Sequence, residues 1–235
     1  MTHLAIIPAH NEEENIAAVI TQVRANLPDF RIVIVNDGST DKTAQVAADM
    51  GAGVLSHPVN IGYGAAVQTG FKYACAGGYT TVLLLDGDGQ HDAQSGPALV
   101  RMLEEHSADM VIGSRFMGNN HYNSTFARFI GRNLFSLITF LITRKNFIDI
   151  TSGFKALNAR AVAFLARNYP VDFPDAEVII MLLLNGFKIA EAPANFRQRL
   201  RGHSMFSLPK KVYYPFKMLL AILIVVLRVV FKKEN

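Results

Sequence analysis

Thr80-Thr-Val-Leu-Leu-Leu-Asp-Gly-Asp-Gly-Gln-His-Asp92 is the stretch that decides how this chain is read. Its first half is a short apolar run with β-branched residues at its start, the pattern of a strand buried on both faces. Its second half is acidic and glycine-rich, so the strand ends in a polar turn. The same design recurs outward along the sequence. Leu4–Pro8 (LAIIP) and Arg31–Val35 (RIVIV) read as further buried strands, each followed by a polar cluster: AHNE at 9–12 and NDGSTD at 36–41. Between them, 12–27, 41–50, 63–76 and 93–106 read as helices, and Asn11 with Glu14 three residues on is the pattern of a reciprocal N-cap. Strands alternating with helices predict an α/β fold, a mostly parallel sheet with helices on both faces. Ligands of such sheets bind beyond the carboxyl ends of the strands, where the polar clusters fall.

Asp86 and Asp88, one residue apart on a turn, can face one divalent cation, and Gln90 can add a third oxygen. Carboxylate and amide oxygens suit Mg2+ or Mn2+. The plain alternative is a solvated β-turn, since Asp and Gly are common turn residues. Beside hard-oxygen ligands His91 is expected to support the site or the fold rather than to ligate. In Asn36–Asp41 an acidic side chain can accept from a base edge or a ribose, or the segment is a turn leading into a helix capped by Ser39 or Thr40. Asn60-Ile-Gly-Tyr-Gly-Ala65 precedes a helix and puts small residues where backbone amides can approach a phosphate. It lacks the third glycine of a dinucleotide fingerprint, and no P-loop pattern occurs anywhere.

At 235 residues the chain is long enough for one well-cored domain, and with half its residues apolar it is globular. A lone cysteine, Cys75, excludes an internal disulfide and a cysteine-rich zinc site, and is expected to be a small core residue. The N-terminus reads as a strand rather than a signal peptide, so a cytoplasmic catalytic domain is expected. The second half of the chain is different. A long, partly apolar helix is predicted over 124–143, with Arg128 and Arg132 one turn apart; 149–157 reads as a turn entering a strand, about 175–185 as a helix, and 187–192 as a strand. From Arg197 to Lys233 the chain has Lys and Arg but no Asp or Glu, around an apolar run from Met218 to Leu227. That combination suits an anionic membrane surface better than nucleic acid. As a helix, 218–231 would span about 21 Å at 1.5 Å per residue, short of a bilayer core of about 30 Å. The tail, 209–235, is therefore expected to lie on or dip into a membrane, to pair with a small membrane protein or a second copy, or to dock on the domain.

Taken together, PAHNEE, NDGSTD, NxGxG and DGDGQHD resemble glycosyltransferase family two. Gly113-Ser-Arg-Phe116 and Asp149-Ile-Thr-Ser-Gly-Phe154 are similar to its dolichol- and polyprenol-phosphate mannosyl- and glucosyltransferases. The likeness runs from about Ile6 to Phe206. It implies a GT-A fold over 1–208, a nucleotide-sugar donor (GDP-mannose or UDP-glucose), a polyprenyl or dolichyl phosphate acceptor, and Mg2+ or Mn2+. It also implies roles. Pro8, Ala9, His10, Glu12, Asp37, Gly62, Asp86 and Gly87 would line the donor site, with Arg199 from a closing motif whose usual lysine is here Met205. Asp86, Asp88 and Gln90 would hold the metal. Arg115 would sit by the phosphates and take part with Asp88 in catalysis, and Arg128, Arg132 and Ser152 would join Arg115 at the acceptor phosphate. A phosphate acceptor is largely dianionic at neutral pH and needs alignment more than deprotonation. A sugar-hydroxyl acceptor, the other reading, would need a base, for which Asp149, Asp175 and Glu177 are available. The apolar stretch 133–143 is expected either to line the isoprenoid's path or to pack in the core.

Overall fold

The computed structural model describes residues 2–117, 126–170, 175–197 and 219–228. In chain order the elements are β1 (His3–Ala9), α1 (Ile16–Asn26), β2 (Phe30–Asn36), α2 (Thr43–Asp49), β3 (Gly53–Ser56), α3 (Tyr63–Ala76), β4 (Thr81–Leu84), α4 (Gly96–Glu105, entered through a 3-10 turn at Ala93–Ser95), β5 (Met110–Ser114), α5 (Phe126–Thr143), β6 (Lys155–Asn158), α6 (Ala159–Asn168), α7 (Ala176–Leu184) and β7 (Ile189–Pro193). The seven strands form one sheet in the order β3-β2-β1-β4-β6-β5-β7. All neighbours pair in parallel except β6, which runs antiparallel to both β4 and β5. The expected mostly parallel α/β sheet is therefore present.

Strand alternation explains the two cores. Leu4, Ile6, Val82, Leu84 and Ile112 face one side and pack against Phe71 of α3, Val162 of α6 and Ile179 of α7. Ala5, Ile7, Leu83, Leu85 and Val111 face the other and meet Ile20 of α1 and Leu99 of α4. α5 divides in the same way. Phe135 and Thr139 are buried, while Leu134, Leu137, Phe140 and Leu141 remain exposed.

Several expectations are corrected. The first helix begins at Ile16, not near residue 12. Asn11 does not cap it: its φ is +54°, and its amide donates to Ser39 Oγ while its Oδ1 accepts from the Thr40 amide. Asn11 thus ties the first polar cluster to the second, a local bond that competes with capping. α2 is capped neither by Ser39 nor by Thr40. Asp41 takes the Thr43 amide on its Oδ1 at 2.9 Å. Cys75 is exposed rather than in the core. Two strands, β3 and β5, were not anticipated. Residues 219–228 are helical, and Ile222 and Val225 sink into the first core while Leu220, Leu223 and Ile224 stay exposed. No helix among the described residues is long and apolar enough to cross a membrane.

Candidate active site

The polar ends of β1, β2 and β4 converge at the carboxyl edge of the sheet. β4 delivers Asp86 two residues beyond Leu84, hence on the face covered by α3. There Tyr63, in the first turn of α3, donates its hydroxyl to Asp86 Oδ1 at 2.9 Å. Burial and the neighbouring Asp86 charge push the Tyr63 hydroxyl well above its ordinary value, so it remains a donor. The Asp86 amide donates to His91 Nδ1 at 2.9 Å, and an amide can only donate, so the ring proton sits on Nε2. That Nε2 lies 3.5 Å from Asp86 Oδ2. Phe154 stacks on the imidazole at 5.2 Å and Phe196 meets it edge-on at 5.1 Å. Burial pushes His91 down to about 4, against an opposing pull from Asp88, so the ring is neutral. With Nδ1 accepting from the Asp86 amide and Nε2 facing Asp86 Oδ2, His91 braces the first carboxylate of the turn.

The loop after Asp86 is held by its own backbone. Asp88 Oδ1 accepts from the Gln90 amide at 3.0 Å, and Gly89 turns the chain with φ +75°. The Gly87 amide donates to the Pro8 carbonyl. A Cβ at Gly87 would lie 3.1 Å from Ala9 Cβ and 3.2 Å from the Pro8 oxygen, so Gly87 permits a close approach of the loop to β1. Pro8 and Ala9 thereby act as the bed on which the loop rests. Past Gln90, the Arg197 amide donates to the Gln90 carbonyl and the Arg197 guanidinium meets Asp92 at 3.1 Å.

Asp37 is buried, only 4% exposed. Its Oδ1 accepts from the Ile61 amide and pairs with His57 Nδ1; its Oδ2 accepts from the Gly62 amide at 2.8 Å. His57 Nε2 in turn meets Thr69 Oγ1 at 2.9 Å. The carboxylate thus organises the 57–62 loop from below. Gly62, with φ +107°, takes a conformation open to glycine and opens α3. His10 donates from Nδ1 to the Asp37 carbonyl at 2.8 Å, and Glu12 is buried, accepting from Asn15 and donating its amide to Thr43 Oγ1.

The Arg115 guanidinium closes on Asp149 rather than standing open. Nε donates to Asp149 Oδ2 at 2.8 Å and Nη2 to Oδ1 at 2.7 Å, while Nη2 also reaches Thr151 Oγ1. The Arg115 amide adds a further bond to Asp149 Oδ2, and Phe196 lies under the guanidinium at 5.5 Å. Asp149 is fully buried, so both of its oxygens serve Arg115. It is not placed to deprotonate an alcohol. Ser152 is a correction: it is 1% exposed, donates to the Gly113 carbonyl at 2.6 Å and accepts from the Phe154 amide, so it staples the turn to β5 and does not face an acceptor. Arg128 and Arg132 lie on α5, but their side chains are outside the described residues, as is the whole of Arg199.

Sequence reasoning missed two residues here. Tyr63 sits inside the NxGxG stretch, where the glycines drew attention. Lys155 looks like the polar end of a strand, yet it is 3% exposed and faces the α3 side of the sheet opposite Leu84. Tyr169, just beyond α6, buries a hydroxyl that has no partner among the described residues.

The oxygens at the mouth of this site fit a divalent cation. Asp86 has a 31% exposed side chain, Asp88 and Gln90 are part-exposed beside it, and Mg2+ and Mn2+ take such ligands. No group of three or more His, Cys, Asp or Glu side chains gathers among the described residues. A cation held here would draw its remaining ligands from Gln90, from solvent or from a substrate.

Comparison with known proteins bears on the family and the fold. A family model described as glycosyl transferase family 2 matches residues 4–164. An uncharacterised protein of Methanocaldococcus jannaschii is 31% identical over 80% of this chain and 78% of its own. A polyprenol monophosphomannose synthase of Mycolicibacterium smegmatis is 27% identical over 87% of this chain and 80% of its own. An undecaprenyl-phosphate mannosyltransferase of Micrococcus luteus is 29% identical, covering 88% of each. Among solved structures, glucosyl-3-phosphoglycerate synthase of Mycobacterium tuberculosis, in complex with Mn2+ and UDP-glucose, shares the fold. It superimposes with a TM-score of 0.69 at 22% identity, covering 95% of this chain and 78% of that one.

Proposed function

This chain belongs to glycosyl transferase family 2 and is a glycosyltransferase, and from that premise we propose that it moves a hexose from a nucleotide sugar to a polyprenyl or dolichyl phosphate at a membrane surface. The observation that carries the proposal is the turn Asp86-Gly87-Asp88. It ends a buried strand, with one carboxylate clamped by Tyr63 and backed by His91 and the other at the mouth of the site. GDP-mannose and UDP-glucose are the donors the reading favours.

In this reading Asp86 and Asp88, with Gln90, hold Mg2+ or Mn2+. When bound, the cation would offset charge on the departing diphosphate. The chain's own residues do the rest. The Asp37-organised loop places the Ile61–Gly64 backbone beside the nucleotide, and Pro8, Ala9 and His10 form the wall at the end of β1. Arg115 keeps the 149–152 turn in place through Asp149; Arg128, Arg132 and Arg199 are proposed to meet phosphate oxygens, as arginines do well. An acceptor phosphate oxygen attacks the anomeric carbon as the bond to the β-phosphate oxygen breaks, inverting the anomeric centre. Such an acceptor needs no general base, which accords with Asp149 being spent on Arg115. The exposed apolar residues of α5 and of 219–228 favour a surface that meets lipid, by peripheral contact.

The test is transfer of radiolabelled mannose or glucose from its nucleotide to undecaprenyl or dolichyl phosphate, read in the organic phase. Metal-dependent labelling of the lipid is expected. Labelling of sugar hydroxyls alone, with the lipid phosphate untouched, overturns the acceptor assignment.

A further inference from the structure

Lys155 is an unexpected residue for its position. It begins β6, lies between Phe154 and Ala156 of the opposite core, and projects to the same side as Leu84 and Ile112, its partners in register. That side is otherwise apolar at this level of the sheet, and Lys155 is 3% exposed. Leu84 is two residues before Asp86, so the lysine and the first carboxylate of the turn share a face. Gly153, two residues upstream, rests against the same carboxylate: a Cβ there would come 3.1 Å from Asp86 Oδ2 and 3.2 Å from the Tyr63 hydroxyl. Burial pulls the Lys155 ammonium below its ordinary value, and the charges that oppose this are, in order, Asp175, Asp86 and Asp149. A buried ammonium on the face that carries Asp86 is costly and needs a reason.

Resting on the metal-site reading above, we propose that Lys155 is a positioning residue that acts through Asp86 as a fixed counter-charge, keeping the site from holding a divalent cation by itself. The first carboxylate of the turn is already partly offset, Asp86 by Lys155 on the same face and by the Tyr63 hydroxyl on Oδ1. A free divalent ion gains little on such a site. The same ion carried by a nucleoside diphosphate brings its own anionic ligands, so it arrives with the donor and departs with the leaving diphosphate. Turnover is thereby spared a tightly retained ion.

The test is Mn2+ binding by electron paramagnetic resonance on the full-length protein, with and without UDP or GDP. The wild-type protein should bind Mn2+ at least about tenfold more weakly without nucleotide than with it. Lys155→Met and Lys155→Gln should tighten nucleotide-free Mn2+ binding by roughly tenfold or more, as removal of a nearby like charge requires. Lys155→Arg should stay near wild type, and kcat of the Met variant should fall more than its KM changes. A lysine needed only for packing would lower the melting temperature in these variants and leave Mn2+ affinity alone. Unchanged or weaker Mn2+ binding in folded Met and Gln variants overturns the proposal. So does equal wild-type affinity with and without nucleotide, a result that needs no variant. Wild-type protein that binds no Mn2+ even with nucleotide would instead overturn the metal-site reading itself.

Discussion

Asp149→Ala is the perturbation whose consequence is best defined by the geometry. Asp149 is fully buried and accepts three bonds from Arg115: two from the guanidinium and one from the amide. Removing one partner of a buried ion pair leaves the other uncompensated and costs about 3–5 kcal/mol. Arg115 is 19% exposed at its side chain, so water offsets a little of that cost. The orphaned amide adds on the order of 1 kcal/mol. A net loss near 4 kcal/mol is expected, and for a chain of this size it lowers Tm by roughly 8–16 °C. Urea denaturation followed by circular dichroism measures it. The paired replacement Arg115→Met with Asp149→Leu should cost distinctly less than Asp149→Ala alone, because no charge is left stranded. A loss under about 1 kcal/mol for Asp149→Ala would refute the reasoning, and so would a double variant no better than the single.

Other outcomes follow from the same geometry. Gly38→Ala should destabilise by about 3 kcal/mol or more or prevent folding, because Gly38 has φ +62° and an added Cβ would lie 2.3 Å from the Val59 carbonyl carbon; expression and thermal melting report it. Tyr63→Phe removes the donor to Asp86 Oδ1 and should cost about 1 kcal/mol in stability while raising the Mn2+ concentration needed for half-maximal transfer; an unchanged metal requirement would count against the clamp. Asp109 gives a pH prediction. Burial pushes its carboxyl up, but bonds from the Lys188 amide, Asn158 and Arg160 outweigh that and hold it below its ordinary value. With the folded value depressed, its contribution is present above about pH 4 and is lost as the pH falls through the folded value. Asp109→Asn should therefore flatten the acid limb of the stability curve and leave its slope above pH 5 unchanged.

The frame was readable because buried parallel strands announce themselves as apolar runs and their polar ends as clusters of Asp, Asn and Gly. TTVLLLD and RIVIV are strands for that reason. β3 and β5 were not read, because four or five residues bounded by glycine or serine carry too little periodicity. Asn11 reads as a cap by its spacing to Glu14, yet a tertiary bond to the Ser39–Thr40 turn takes its side chain. At the site, the metal turn and the Asp37 cluster were legible as residues, but their employment was not. That Asp37 faces its own chain, that Ser152 is a staple and that Arg115 closes on Asp149 are facts of three-dimensional pairing across 25 to 39 positions of sequence. Lys155 was hidden for another reason: a single lysine at a strand's start looks solvated, and only the antiparallel insertion of β6 beside β4 buries it opposite Leu84, two residues before Asp86.

The most direct test of the central claim compares wild-type protein, chelator-treated protein and Asp88→Ala in transfer of sugar to undecaprenyl phosphate. Wild type should transfer with Mg2+ or Mn2+, chelated protein should fall to background and recover when the ion is restored, and Asp88→Ala should lose roughly a hundredfold or more, as expected for removing a group that stabilises the leaving charge. Full-rate transfer by the chelated protein, or by a folded Asp88→Ala variant, would contradict the account.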